Sequence, residues 1–201
     1  MTSNREGLTP SAVPPGVDPK TKEALGQVRQ AMPEQGKELA RKIFTDTLIP
    51  AMGNKAAYHD FLSRNHDKGV HVHVDLNDFG EFNKQHGDHT GDEVIQAFGN
   101  MSNKLSRLYK GKSHRFGGDE FKYHFNDFRH ARKFTSDLTG ALEKAPAVRG
   151  HKLSISLGMG SNRDHAERAL IEAKEAKKGA GAPAGTAANH IRSSIEFKDK
   201  E

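Results

Sequence analysis

The chain of 201 residues contains no cysteine and no tryptophan, and hydrophobic residues make up only 34% of it. Without cysteine the protein forms no disulfide and has no thiolate for catalysis. No apolar run is long enough to span a bilayer, and the N-terminal residues lack the apolar core of a signal peptide. We therefore expect a cytoplasmic protein with no membrane partner.

Concentrated positive charge is also lacking, although the formal net charge is +5. The lysines and arginines are scattered, and the basic tracts are no longer than pairs such as Arg41-Lys42 and Lys177-Lys178. A nucleic-acid surface needs a basic patch or stripe, so nucleic acid is the disfavoured partner. A moderately basic surface suits an anionic nucleotide instead.

Proline and glycine divide the chain into three parts. Four of the eight prolines lie in residues 1–20, so residues 1–35 are predicted to be a flexible tail with a possible short helix. Residues 36–178 are predicted to be the folded domain. Residues 179–201 are predicted to be a Gly/Ala linker followed by an edge strand or tail. The tail and the helical stretch after it, about 45 residues, are expected to be too few for a sensor domain.

Strict alternation marks the first strand, from Val70 to Leu76. Valines and a leucine occupy one face, and His71, His73 and Asp75 occupy the other. This pattern predicts a strand with one apolar face that ends at an acidic residue. The histidines allow a metal-binding or pH-sensing cluster with His124, but polar residues on a lightly covered sheet face are the preferred interpretation.

Two further strands flank a glycine-rich turn, and helical patterns separate the remaining strands. The strands 113–116 and 121–125 enclose Gly117-Gly118-Asp119-Glu120, and glycine supplies the positive φ of a tight hairpin. The capping spacing at Thr90 and at Ser161 predicts that a helix begins at each position. In the helix after Thr90, Leu108 is expected to lie on the buried face. Further helices are predicted over 55–63 and 127–144, with strands over 152–159 and 189–197. This order predicts an α/β (α+β) fold with a central, mixed and partly antiparallel sheet of about five strands flanked by helices.

Acidic residues fall at two strand ends, Asp75 after the first strand and Asp119-Glu120 in the hairpin turn. If the hairpin pairs beside the first strand, these carboxylates converge at one edge of the sheet. Carboxylates, waters and phosphate oxygens are the usual ligands of protein-bound Mg²⁺. The alternative is a turn whose acidic side chains are merely solvated.

Several segments together resemble the GGDEF family of diguanylate cyclases. Arg115-Phe-Gly-Gly-Asp-Glu-Phe121 resembles the family's central motif, and the segment Asp75–Asp92 resembles its metal- and guanine-binding segment. Asp46-Thr-Leu48 followed by Asn54-Lys55 resembles its opening motif in a diverged form. Residues 153–158 and the helix end at Ala173-Lys174 fall where the family has its last core strand and phosphate-binding helix. The resemblance covers 46–178 and implies a nucleotidyl-cyclase, palm-like fold with the GGDEF hairpin at the active site.

The resemblance also implies a role for each matching residue. The metal ligands would be Asp75, Asp119 and the backbone carbonyl of Leu76, with Glu120 as the acid required for turnover. The GTP-binding residues would be Asn83 and Asp92 on the guanine edge, Gly117 and Gly118 under the phosphates, and Lys174 and Lys178 on the triphosphate. The implied cofactor is Mg²⁺ or Mn²⁺, the substrate is GTP, and catalysis requires a homodimer because each domain holds one GTP.

The chain departs from the family pattern at several positions. Gly80 replaces a phosphate-contacting lysine, and Lys178 replaces an arginine, so nucleotide affinity is expected to fall. The Arg-x-x-Asp product-inhibition site is absent, since those positions read Leu108-Tyr-Lys-Gly111. Beside an active diguanylate cyclase, two alternatives stay open. The loss of lysine at position 80 favours a non-catalytic module that binds GTP or a cyclic dinucleotide and regulates a partner, and the third possibility is a related cyclase that makes a hybrid dinucleotide.

Overall fold

The computed structural model describes residues 20, 23, 27, 33–65, 68–179 and 189–194. In chain order the elements are α1 (Pro33–Phe44), α2 (Lys55–Asn65), β1 (Val70–Leu76), α3 (Phe79–His86), α4 (Asp88–Leu108), β2 (Lys112–Gly117), β3 (Glu120–Phe125), α5 (Phe128–Lys144), β4 (Ile155–Gly160), α6 (Arg163–Gly179) and β5 (His190–Ser193). The predicted N-terminal tail lies almost wholly outside these residues, as does the Gly/Ala linker beyond Gly179.

The five strands form one sheet in the order β2-β3-β1-β4-β5. The central strand β1 is antiparallel to both β3 and β4, and β2 is antiparallel to β3. The edge strand β5 is parallel to β4. The mixed, partly antiparallel sheet predicted from the sequence is therefore confirmed, and β1 has the predicted bounds.

One face of the sheet carries the apolar core under α4 and α5. The valines of β1 pair across the sheet with the aromatic residues of β3, Val72 with Tyr123 and Val74 with Phe121. Phe98 of α4 packs on Phe121 with ring centroids 4.8 Å apart, and Phe134 of α5 packs on Tyr123 at 4.6 Å. Burying these large side chains is the main stabilising contribution to the fold.

The opposite face is polar and equally buried. His71 and His73 are 0% exposed and His124 is 3% exposed, because α2 and α6 lie over them. The preferred interpretation of a lightly covered face is therefore wrong. A Cβ on Gly158 would lie 2.1 Å from the backbone nitrogen of Leu170, so α6 packs directly on the backbone of β4.

Local backbone chemistry moves several predicted boundaries. Helix α4 begins at Asp88 after Gly87, which has a φ of 82°, and Thr90 is buried inside the helix rather than capping it. Asn162, not Ser161, accepts the first-turn hydrogen bond of α6, from the amide of His165 at 2.8 Å. Strand β4 starts at Ile155, three residues after the expected start.

The outward end of α4 also differs from the prediction, since Leu108 is 67% exposed rather than buried. Leu105 and Tyr109 pack against the core at this end of the helix, and Leu108 lies on its outward side. None of the helices in the described ranges has both the length and the apolar character that a bilayer span requires.

Candidate active site

Strand pairing brings the three predicted acidic residues to one rim of the sheet. Asp75, near the end of β1, is the register partner of Glu120, the first residue of β3. The backbone amide of Leu76 donates to the carbonyl of Asp119 at 3.3 Å. The hairpin therefore pairs beside the first strand, as the sequence predicted, and the three carboxylates lie on adjacent chain segments.

The hairpin turn is tight and is held from outside by an arginine. Gly118 has a φ of 51°, a conformation that favours glycine, and the register shifts between Arg115 and Gly117. Arg115 donates from Nε to the carbonyl of Gly118 at 2.8 Å, and its Nη1 lies 3.5 Å from Oδ2 of Asp46. A Cβ at Gly117 or Gly118 would meet nothing within 4 Å, so the turn has open space around it.

Burial makes this rim unfavourable for negative charge in the absence of a cation. Desolvation raises the pKa of Asp75, and the nearby charge of Asp119 raises it further. Desolvation is also the main reason why the pKa of Asp119 is raised. A cation beside these two partly buried carboxyl groups would strongly stabilise their ionised forms.

Basic residues of α6 supply that positive charge. Lys174 Nζ donates to Asp75 Oδ2 at 2.6 Å, and the side chain of Asp75 is only 14% exposed. Lys177 donates to Asp78, which precedes α3 in the left-handed conformation. Lys178 is exposed and makes no hydrogen bond or ion pair within the described residues.

Lys177 is a residue that the sequence analysis missed. Lys174 and Lys178, which the resemblance places at the triphosphate, are four residues apart, and this spacing puts two side chains on one face of a helix. Lys177 lies three residues after Lys174, and that spacing places side chains on a common face equally well. The spacing alone therefore pointed to Lys177 as much as to Lys178.

The acidic rim fits a magnesium ion only together with oxygen atoms from a substrate. Among the described residues, no three His, Cys, Asp or Glu side chains are placed to hold a metal by themselves. The same holds for His71, His73 and His124, which do not form such a three-residue group. Magnesium commonly takes one or two carboxylates and completes its shell with waters and phosphates, and Asp75 and Asp119 suit that arrangement.

The expected guanine-reading residues lie on two consecutive helices. Asn83 of α3 packs against Gly91 of α4, where a Cβ would come within 2.0 Å of the Asn83 Oδ1 atom. That Oδ1 atom is buried and accepts no hydrogen bond in the described part of the chain. Asp92 follows Gly91 and is exposed. A buried, unsatisfied amide oxygen beside an exposed carboxylate is suited to a ligand that brings N–H donors.

A hollow of about 370 Å³ lies between α1 and the loop that follows it. Its lining residues are Glu38, Arg41, Lys42, Thr45, Asp46, Thr47 and Pro50. None of the three acidic residues of the rim lines this hollow.

The fold and the rim define a small α+β domain built around a glycine-rich acidic hairpin. The family model of the diguanylate cyclase GGDEF domain matches residues 41–180, and the chain belongs to this family. The comparison with curated proteins finds no match.

Solved structures share the fold at low sequence identity. A diguanylate cyclase/phosphodiesterase from Caldicellulosiruptor saccharolyticus is 18% identical, with a TM-score of 0.59 over 79% of this chain and 98% of that one. The coiled coil and GGDEF domain of DgcB from Caulobacter crescentus, in complex with c-di-GMP, is 19% identical, with a TM-score of 0.58 over 84% and 97%. The diguanylate cyclase SiaD from Pseudomonas aeruginosa, in complex with its activator SiaC, is 18% identical, with a TM-score of 0.58 over 78% and 68%.

Proposed function

We propose that this domain is a diguanylate cyclase that condenses two GTP molecules into cyclic di-GMP and two pyrophosphates. The observation that carries the proposal is the meeting of Asp75, Asp119 and Glu120 at one rim, opposite the lysines of α6. GTP as the substrate implies a cytoplasmic location. Because one rim holds one nucleotide, the reaction requires two copies of the domain facing each other.

The bonds to be made and broken define what each residue does. The 3′-hydroxyl oxygen of one GTP attacks the α-phosphorus of the other, and the bond from that phosphorus to the bridging oxygen breaks. Pyrophosphate leaves, and the hydroxyl proton must be accepted. The 3′-hydroxyl of the other nucleotide then makes the same attack, which closes the ring and releases the second pyrophosphate. Glu120 suits this role because its register pairing with Asp75 places both side chains on the same face of the sheet.

Asp75 and Asp119, with the carbonyl of Leu76, are the residues that would hold Mg²⁺ or Mn²⁺. Such an ion supplies charge neutralisation at the phosphates and polarises the reacting oxygens. The raised pKa values of both carboxyl groups support this assignment, because burial makes their negative charge costly and a bound cation offsets that cost. Lys174 contacts Asp75 directly, so its ammonium group lies where it would also pair with the triphosphate.

The base is read at the other end of the nucleotide by Asn83 and Asp92. The carboxylate of Asp92 accepts from the N1–H and N2–H₂ groups of guanine, and adenine has no equivalent pair of donors. Gly117 and Gly118 leave space for the phosphates beside the turn. Lys178 adds positive charge at the end of α6. Without an Arg-x-x-Asp site, the enzyme would not be inhibited by its product at that position.

The test is mass spectrometry of the reaction of the pure protein with GTP and MgCl₂. We expect cyclic di-GMP and pyrophosphate from the wild type. Glu120→Gln should abolish product while GTP still binds, and Glu143→Gln, an exposed change on α5, is the matched control. No product from the wild type at high protein concentration would refute the cyclase proposal.

A second candidate function is a binding module without catalysis. Gly80 and Lys178 favour it, because glycine carries no positive charge and lysine lacks the paired donors of arginine, so both lower the affinity for the triphosphate. GTP or cyclic di-GMP binding by calorimetry without turnover would support it, and absence of binding would exclude both functions. A mixed reaction with ATP and GTP distinguishes a hybrid cyclic dinucleotide from cyclic di-GMP.

A further inference from the structure

The polar face of the sheet carries a row of buried ionisable side chains immediately behind the acidic rim. Lys122 of β3 is the register partner of both His73 on β1 and His114 on β2. Asp75 and Glu120 form the next row on the same face, since side chains two residues apart on a strand point to the same side. The ionisable row and the acidic rim are therefore separated by one repeat of the strand, about 7 Å.

Lys122 is the cation at the centre of this row. Its side chain is only 9% exposed, and its Nζ atom donates to Oε2 of Glu167 at 3.0 Å. The same Nζ atom lies 4.1 Å from the centre of the Phe116 ring. A buried ammonium group requires a carboxylate partner, and an aromatic face stabilises it further. Lys122 thus contacts α6 through Glu167 and the hairpin through Phe116, the residue before Gly117.

Glu167 is the shared acceptor of the network. Its Oε2 atom also receives the Nδ1–H group of His73 at 2.7 Å, which leaves Nε2 of His73 to accept from the hydroxyl of Tyr58 at 3.1 Å. The hydrogen bond from His73, followed by the charge of Lys122, lowers the pKa of Glu167 to about 2. Glu167 therefore remains ionised and holds both donors throughout the physiological pH range.

Helix α6 contacts β1 twice, once at the acidic rim and once in this network, one strand repeat away from the rim. Glu167 and Lys174 are seven residues apart on α6, about two turns, and so share one face. His73 and Asp75 are two residues apart on β1. The pairs Glu167–His73 and Lys174–Asp75 are thus two successive links between the same helix and the same strand. Lys122 joins the hairpin strand β3 to the first of these links.

We propose that Lys122 is a positioning residue which, through Glu167 and Phe116, fixes the distance between the GGDEF hairpin and α6. The inference rests on the proposed function, because that distance sets how Lys174 and the hairpin acids hold one triphosphate together. Lys122 touches neither nucleotide nor metal in this scheme. It acts by preventing α6 and the hairpin from moving apart.

The test compares Lys122→Met, which removes the ammonium but keeps the apolar stem, with Lys133→Met, a change at a side chain 64% exposed on α5. We expect Lys122→Met to raise the Kd for GTP in MgCl₂ by roughly three- to tenfold and Lys133→Met to leave it unchanged. KM should rise more than kcat falls. Lys122→Arg should recover most of the affinity, because a guanidinium also pairs with a carboxylate and stacks on an aromatic ring.

Two further measurements connect the effect to Glu167 and separate it from the proposed function. Glu167→Gln should weaken GTP binding in the same way, and the double variant Lys122→Met/Glu167→Gln should be no worse than the more affected single variant. Without any nucleotide, hydrogen exchange of the backbone amides of residues 117–120 should be faster in Lys122→Met than in Lys133→Met. Equal exchange and equal Kd in the two variants would overturn the proposal.

A second result would also overturn the proposal. If Lys122→Arg fails to recover the affinity for GTP, and Lys122→Met and Lys122→Arg lower the melting temperature equally, the role of Lys122 is packing. If the wild type binds no GTP, the proposed function fails. The exchange of residues 117–120 then decides by itself whether Lys122 positions the hairpin.

Discussion

Replacing Gly158 by alanine should push α6 away from the sheet and thereby damage the active site without touching any residue in it. The added Cβ would lie 2.1 Å from the backbone nitrogen of Leu170 and 2.3 Å from the carbonyl oxygen of Ala166. Both are backbone atoms of α6, so no side-chain rotation relieves the clash. The helix itself must move.

The size of the movement follows from these distances. Ordinary contact begins at 3.4 Å, so the first turns of α6 must retreat by about 1.3 Å, the difference from 2.1 Å. A retreat of that size would lengthen the 2.6 Å hydrogen bond from Lys174 to Asp75 beyond hydrogen-bonding distance. Overpacking of this kind costs about 1–3 kcal/mol, equivalent to a fall of roughly 3–10 °C in melting temperature for a domain of this size.

Urea unfolding and GTP calorimetry check both consequences. We expect Gly158→Ala to lower the free energy of unfolding by about 1–3 kcal/mol and the affinity for GTP by roughly tenfold. The control is Gly140→Ala on α5, where the Cβ meets nothing within 4 Å and alanine should add about 0.5–1 kcal/mol of stability. Wild-type stability and affinity in Gly158→Ala would refute the described seating of α6 on β4.

Two other predictions concern nucleotide affinity and pH dependence. Gly80 lies in the first turn of α3, and a Cβ there would meet nothing within 4 Å. Gly80→Lys should therefore lower the Kd for GTP severalfold in calorimetry, because the lysine restores a phosphate contact. Gly80→Ala should leave the Kd unchanged. Burial lowers the pKa of His114 to about 4, so the unfolded chain takes up this proton first and stability falls as the pH drops from about 6.5 towards 4. His114→Leu should flatten the pH dependence of unfolding in that interval by up to about 3 kcal/mol, and an unchanged slope would contradict the burial of the neutral imidazole.

The sequence was sufficient for features that depend on local pattern. The alternation of Val70–Leu76 gave the bounds of β1 correctly, and the four residues from Gly117 to Glu120 marked the hairpin. These features depend on side-chain periodicity and turn chemistry, which neighbouring residues determine. The start of α4 was misjudged because Gly87, with its positive φ, redirects the chain three residues before the capping pattern at Thr90.

Features that depend on distant partners could not be predicted in the same way. His71 and His73 alternate with valines as exposed polar residues do, yet both are buried. The partner that makes burial of His73 favourable is Glu167, which is 94 residues further along the chain. No local pattern contains such a contact. Helical spacing could have suggested Lys177 as a basic residue near Lys174, but its contact with Asp78, 99 residues away, is another distant link.

Asp75 and Lys174 are 99 residues apart in the sequence, so the site is complete only after the chain has been made and folded as far as α6. A growing or truncated chain that stops before α6 possesses all three acids but lacks the lysines that balance them. Its rim would repel a triphosphate instead of holding one. Under the proposed function, GTP affinity would therefore report that α6 has docked on β1.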